Sequence, residues 1–281
     1  MKELWRIIHG GRYRIILTIV FFLSLALVAG SLMTPKYEVQ MLLQPQEVIG
    51  GTSSSLGGGG SALQGLSSLA GLSFSRSQLK DTALAILKSS HFTADFITEE
   101  QLLNRLFHTK WDFEKNTWSS ELSAEEIPTL QDAIILFDQK IRRIKEDSTT
   151  GFITLVIEWS DPTLAKQWSE KLIKRINQRM RHDAIIEAEK NIDYLTKQIA
   201  SHNNVELNRT AAGLIESQLY HIMMANGRAE YAFKVLDPPM LPELDAYVSP
   251  NWLLLVLLGL VGGSIVGLMW VLLRSDSPSK T

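Results

Sequence analysis

Two long apolar runs bracket a polar stretch, and that pattern sets the expected architecture. The first, Ile15–Met33 (IILTIVFFLSLALVAGSLM), has no charge over about 19 residues. The second, Trp252–Leu273, runs for about 22 uncharged residues, roughly 33 Å of helix and enough to cross a hydrocarbon core. Lys2, Arg6, Arg12 and Arg14 precede the first run, as in a signal peptide, but the run exceeds a signal peptide's usual apolar length and reads as an uncleaved anchor. Only Lys36 closely follows it, whereas Arg274 and Lys280 follow the second run and no Lys or Arg lies between Lys234 and Trp252. Both asymmetries predict two passes with both termini cytoplasmic and the middle outside. Trp5, Tyr13, Tyr37, Tyr247, Trp252 and Trp270 fall near the expected interfaces, where aromatic belts form.

Between the anchors the periodicity changes several times. Tyr37, Val39, Met41 and Leu43 alternate with their neighbours and predict a half-buried strand. Gly50–Leu72 is low in complexity and reads as a solvated loop, with Leu63, Leu66, Leu69 and Leu72 available to pack on a neighbour or ligand. No Gly-Lys pair occurs, which excludes a phosphate-cradling P-loop. Helices are expected over Ser77–Ser90, Ala94–Phe107 and Thr129–Lys140, and a hairpin over Ile141–Lys145 and Phe152–Trp159 around DSTTG. Trp111, Phe113 and Trp118 punctuate a polar stretch. Stacked aromatics can bind sugar rings, whereas scattered ones anchor a core or loop, and the sequence alone favours the second use.

Asp161-Pro162 starts the longest helix, with Asp161 as candidate N-cap, running to about His202, some 40 residues or roughly 60 Å. Ile173, Ile176 and Met180, then Ile185, Ala188, Ile192, Leu195 and Ile199, keep 3,4 spacing, a narrow seam suited to one or two partner helices. Glu170–Lys174 and Asp193–Lys197 are i,i+4 pairs in the favourable order. Val205–Ala225 predicts a second helix ending at Asn226-Gly227, and Tyr231–Leu236 a last strand. The first and last strands are each close in sequence to an anchor, so one mixed sheet near the bilayer with the long helix projecting from it is the economical arrangement. Pro238, Pro239, Pro242 and Pro250 stiffen the approach to the second anchor, with Pro250 expected in its first turn. Within that anchor Gly259, Gly263 and Gly267 repeat every four residues, with Ser264 beside them, a face on which another helix can pack backbone to backbone.

Composition removes most chemistry. A formal charge of -2 over 281 residues argues against a nucleic-acid binder, and the absence of cysteine excludes disulfides and Cys-ligated zinc. The six histidines form no H-x-H or H-E-x-x-H, and there is no G-x-S-x-G. The acidic pairs Glu99-Glu100 and Glu125-Glu126 read as helix-start decoration. Neither a cofactor, a metal nor a catalytic residue is expected.

The ordered combination of these pieces resembles the Wzz-type chain-length determinants, the polysaccharide co-polymerases. The resemblance lies in WSDPTLAKQWSEKLIKRIN, NIDYLTKQIA, LIESQLYHIMMANGRAEYAFKVLDPP, the approach YAFKVLDPPMLPELDAYVSP and the Gly-rich second anchor. It implies an α+β membrane protein of the bacterial inner membrane. The expected parts are a cytoplasmic N-terminus (1–14), transmembrane helix 1 (15–33), a periplasmic α/β base domain (34–161, with the loop 50–72), a long helix and return helix (162–228), a strand and Pro-rich approach (229–251), transmembrane helix 2 (252–273) and a cytoplasmic tail (274–281). The implied partners are further copies in a ring-like homo-oligomer, a membrane polysaccharide polymerase, lipid-linked glycan and membrane lipid, with no nucleic acid. The implied role is to set how many repeats are added to O-antigen or a related glycan, with Gly259, Gly263, Gly267 and Ser264 available to a polymerase helix and Ile185, Ile192, Leu195 and Ile199 to neighbouring copies. The loop 50–72 looks more like the exopolysaccharide and capsule branch, and only Arg274–Thr281 follow the second anchor, so no kinase domain is expected. An inner-membrane component of capsule or exopolysaccharide export is the alternative; a kinase activator and a glycan-acting enzyme are weaker rivals.

Overall fold

A computed structural model describes residues 2–46, 76–201, 204–243 and 245–275; the loop expected at 50–72 and the last six residues lie outside them. The chain divides into two compact units. One comprises Met1–Glu38, Trp159–Pro162 and Pro242–Thr281, and the other Val39–Glu158 and Thr163–Leu241.

The first unit holds two helices, α1 (Lys2–Leu32) and α8 (Trp252–Ser275). Helix α1 is continuous from Lys2 and runs through the expected membrane boundary at residue 14. Among the described residues one stretch, Trp252–Trp270, is long and apolar enough to cross a membrane by itself, while the apolar part of α1, Ile16–Leu32, is shorter. Asn251 opens α8: its side-chain Oδ1 accepts from the Leu254 amide at 3.3 Å and its carbonyl from the Leu255 amide at 3.1 Å. Pro250 therefore precedes the cap instead of lying in the first turn, because Asn251 supplies the oxygen that the first free amides need.

The second unit is built on a four-stranded sheet, order β4-β5-β1-β6, from β1 (Tyr37–Pro45), β4 (Arg142–Glu146), β5 (Ile153–Trp159) and β6 (Phe233–Asp237). Strand β1 buries Tyr37, Val39, Met41, Leu43 and Pro45, the period-2 face expected of it. It runs antiparallel to β6, with Leu43 opposite Val235, so the first and last strands are neighbours; a bulge between Leu42 and Leu43 shifts the register. The hairpin β4–β5 pairs Arg142 with Ile157 and Glu146 with Ile153, and Gly151 takes φ 71° in its turn. Ile153, Leu155, Val156 and Ile157 are all buried, so β5 is covered on both faces.

Helices α2 (Arg76–Leu87), α3 (Ser90–Glu99), α4 (Leu103–Leu106) and α5 (Leu130–Leu136) precede this hairpin. The helix expected across Ala94–Phe107 is split, because Gln101 adopts φ 52° and turns the chain between α3 and α4. The side chain of Ser89 caps α3, accepting from the Phe92 amide, and Thr129 and Asp132 form a reciprocal capping box on α5. Helix α5 passes into a π-helical turn, Phe137–Ile141, that delivers Arg142 to the sheet. Phe137 lies 5.7 Å from Phe96 and 6.1 Å from Trp168 between ring centroids, joining the helices in one aromatic cluster. The 40-residue α6 (Pro162–Ser201) begins at Pro162, as its sequence predicts. Its Asp193–Lys197 pair forms at 2.6 Å, but Glu170 meets Lys166 at 4.0 Å in place of the expected Lys174. Helix α7 (Val205–Asn226) follows, and its terminal Gly227 stays right-handed at φ -73°, so the expected glycine cap does not use a positive φ.

Candidate functional site

Two surfaces gather the residues singled out by sequence. In the first unit Gly259, Gly263 and Gly267 are all buried, and for the first two the covering element is α1. A Cβ on Gly259 would lie 3.1 Å from the Phe22 carbonyl and 3.3 Å from the Leu23 Cα. A Cβ on Gly263 would lie 2.6 Å from the Ile19 Cα, a distance that no real side chain occupies. Thr18 Oγ1 donates to the Gly263 carbonyl at 3.1 Å, a buried bond between residues 245 apart in sequence. Further along, Gly30 receives the Trp252 ring and Leu255, at 2.9 Å and 2.8 Å from its notional Cβ. At Gly259 and Gly263 the glycine stripe is thus occupied within the chain. A polymerase helix on that stripe, the use inferred from sequence, would have to displace α1. Ser264 instead returns its hydroxyl to the Leu260 carbonyl at 2.7 Å.

The exits of α1 and α8 are joined as well. Lys36 donates its amide to Ser249 at 3.0 Å and accepts from the Val248 amide at 2.8 Å, a two-bond antiparallel bridge. Trp252 Nε1 donates to the Tyr247 hydroxyl at 2.8 Å, and the Ser249-Pro250 bond is cis. Pro250 is buried here. In the second unit Pro239 is buried, while Pro238 is exposed. Pro242, in the first unit, is half-buried.

In the second unit α6 and α7 form a helical hairpin. The chain leaves α6 at Ser201 and enters α7 at Val205, capped by Asn204, whose Oδ1 accepts from the Glu206 and Leu207 amides. After α7 it returns to the middle of α6: Asn177 Nδ2 donates to the Phe233 carbonyl at 2.9 Å, and its Oδ1 accepts from the Ala232 and Phe233 amides at 2.7 and 2.8 Å. From Asn177 to Ser201 α6 climbs about 36 Å, and α7 is about 33 Å long, so α7 must run back along it. Ile185, Ile192, Leu195 and Ile199 are half-buried with Ala188 buried among them. On α7 the positions Asn208, Ala211, Ile215, Gln218, Ile222 and Ala225 repeat the 3,4 spacing, with Ala211, Gln218 and Ala225 buried. The seam is therefore half-covered in a single copy. The opposite face leaves Tyr194, Leu219, Tyr220 and Met223 exposed.

The first half of α6 is fixed by charge. Lys171 pairs with Glu100, and Arg175 grips Glu99 with two nitrogens, Nη2 to Oε1 at 2.7 Å, while its guanidinium lies 5.8 Å from the Phe92 ring centroid. The hydrogen bond from Arg175 holds the Glu99 carboxyl below its ordinary range and, reciprocally, raises Arg175. Arg142 is buried on Phe137; desolvation lowers its pKa, opposed by Asp138, which accepts from Nη2 at 2.6 Å and from Thr93 Oγ1 at 2.9 Å. These are structural ion pairs, and no group of His, Asp or Glu among the described residues could hold a metal ion.

Sequence reasoning missed Thr18, Gly30 and Asn177. A signal existed for the first two, since Thr18, Ala26 and Gly30 are small residues at multiples of four, matching the stripe on α8. Nothing separates Asn177 from the other polar residues of α6.

No family model matches the chain, and no curated protein matches it. Among solved structures, a full-length bacterial polysaccharide co-polymerase aligns over 100% of this chain and 100% of its own, at 12% identity and a TM-score of 0.45. A likeness of that size decides neither fold nor function.

Proposed function

We propose that this protein is a non-enzymatic regulator of polysaccharide chain length, a two-pass protein of the bacterial inner membrane with both termini cytoplasmic. Copies assemble as a ring-like homo-oligomer beside a membrane polymerase acting on O-antigen or a related lipid-linked glycan. The observation that carries the reading is the backbone-close packing of α1 on α8 along Gly259 and Gly263, with the exits of both helices bridged at Lys36 and Ser249. Outward from that contact α1 exposes Ile16, Leu17, Val20, Phe21 and Leu25, and α8 exposes Leu253, Leu257, Leu260 and Ile265, surfaces that lipid would cover. This supports α1 as a second spanning helix although its apolar part is short. A chain anchored at both ends, carrying a long helical hairpin and no catalytic constellation among its described residues, suits a scaffold. Since the glycine stripe is filled, the polymerase contact belongs to the outward faces of α1 and α8, and neighbouring copies meet the exposed face of α7 at Leu219, Tyr220 and Met223.

Deletion of the gene, followed by gel separation of the cell's polysaccharide, tests this reading. Loss of the modal length with polymer still reaching the surface is expected. Polymer trapped inside would favour an export component, and an unaltered ladder would sink the proposal.

A further inference from the structure

The ribbon β2 (Trp111–Asp112) and β3 (Thr117–Trp118) stands apart from the four-stranded sheet. Its strands are two residues long, and an isolated hairpin of that size is marginal in water. Its turn is nevertheless tightly built. Asp112 Oδ1 accepts from the Glu114 and Lys115 amides at 3.0 and 3.1 Å, Oδ2 lies 3.2 Å from Lys115 Nζ, and Asn116 takes φ 52°. Antiparallel register sets Trp111 directly opposite Trp118, and their rings meet edge to face at 4.8 Å and 84°. Two aromatics that look scattered in the sequence are therefore one pair.

Both indoles remain partly exposed, and neither ring N–H has an acceptor among the described residues, in contrast to Trp252, whose N–H is taken by Tyr247. Phe113, the first turn residue, is 63% exposed, and Glu114, Lys115, Asn116 and Thr117 offer polar side chains at the same tip. Partly exposed indoles whose N–H groups have no acceptor among the described residues, beside the exposed side chains of Glu114 and Asn116, match a pyranose, which presents a C–H face and a rim of hydroxyls.

We propose that Trp111 and Trp118 form a shallow subsite for one sugar unit of the polysaccharide, each indole laying apolar ring surface on its C–H face and donating its N–H to a hydroxyl. This rests on the chain-length reading above. The test uses the full chain in detergent micelles and, as probe, polysaccharide extracted from the cells that make the protein, with affinity read by calorimetry and folding by thermal midpoint. Trp111→Ala and Trp118→Ala should each weaken binding about tenfold, the loss of one stacked ring. Trp111→Phe and Trp118→Phe keep an aromatic pair and remove the donor, and should lose about threefold with an unchanged midpoint. If the alanine variants unfold, the phenylalanine variants decide. No binding by the wild-type protein, or wild-type affinity in the folded variants, overturns the subsite. If gene deletion alters glycan length but these variants bind normally, only the subsite falls; if deletion alters nothing, the functional reading falls first.

Discussion

Thr18 and Gly263 are hydrogen-bonded across two helices at 3.1 Å, hydroxyl to carbonyl, although 245 residues separate them. The bond is possible because Gly263 has no side chain: its Cα faces the backbone of Ile19 directly. Gly262, one position on, is a built-in control, since a Cβ there would meet only the Phe22 ring edge at an ordinary 3.8 Å. Gly263→Ala should therefore destabilise the protein in detergent by about 1–3 kcal/mol, the usual range for overpacking, while Gly262→Ala leaves it within about 0.5 kcal/mol. Thr18→Val should cost about 0.5–1.5 kcal/mol, the usual net worth of an intramolecular hydrogen bond. Equal thermal midpoints for the two alanine variants would refute the α1–α8 contact as drawn.

Asn177 plays the corresponding part in the second unit. One buried amide closes three backbone groups, the Ala232 and Phe233 amides and the Phe233 carbonyl, and so fixes where the return path re-enters the sheet. Asn177→Ala leaves all three without that partner and should lower stability by about 2–4 kcal/mol, since each buried unsatisfied group costs about 1–3 and relaxation recovers part. Chemical denaturation of the full chain measures it. Asn177→Asp keeps the acceptor and loses the donor, so it should recover part of the loss; a variant as stable as wild type would remove Asn177 from this role.

How much of this could be read from residues alone depended on whether the physical signal was local. Length and absence of charge marked both apolar helices. Period-2 alternation found β1, and Pro162 marked the start of α6. The 4-residue glycine spacing identified a packing face but could not say who packs on it, because spacing is a property of one helix and the partner lies on another. For the same reason the stripe Ile185–Ile199 read as a surface suited to partner helices without saying which, and its residues are half-buried in a single copy. Gln101 hid a helix break because glutamine carries no turn signal. Asn251 displaced Pro250 from the helix start because a side-chain cap outweighs the general preference for proline in the first turn.

His221 lies half-buried on α7, its ring 6.5 Å from that of Tyr220. Burial disfavours the imidazolium and puts its folded pKa below the ordinary 6.5. As pH falls through 6.5 the unfolded chain takes up the proton first. The stabilisation is therefore complete above 6.5 and is lost as pH drops from there through the folded value. His221→Phe should flatten the dependence of the thermal midpoint between pH 7 and 5. A variant retaining the wild-type slope would place the titrating group elsewhere.

Gly213 interrupts α7, and nothing among the described residues lies against it. It lies in the middle of the 22-residue helix, its φ is ordinary, and a Cβ there would touch nothing within 4 Å. In a helix interior glycine costs about 0.5–1 kcal/mol against alanine, through the freedom it loses on folding. If α7 meets only solvent at this position, Gly213→Ala should raise stability by about that amount and leave every other property unchanged. If a neighbouring copy lies against α7, the absent side chain makes room for it, and the same substitution should change the mass of the assembly in detergent while the single chain still gains stability. Thermal midpoint and light scattering on one variant separate the two. A loss of stability with unchanged mass would contradict both accounts, and with them the open face assigned to α7.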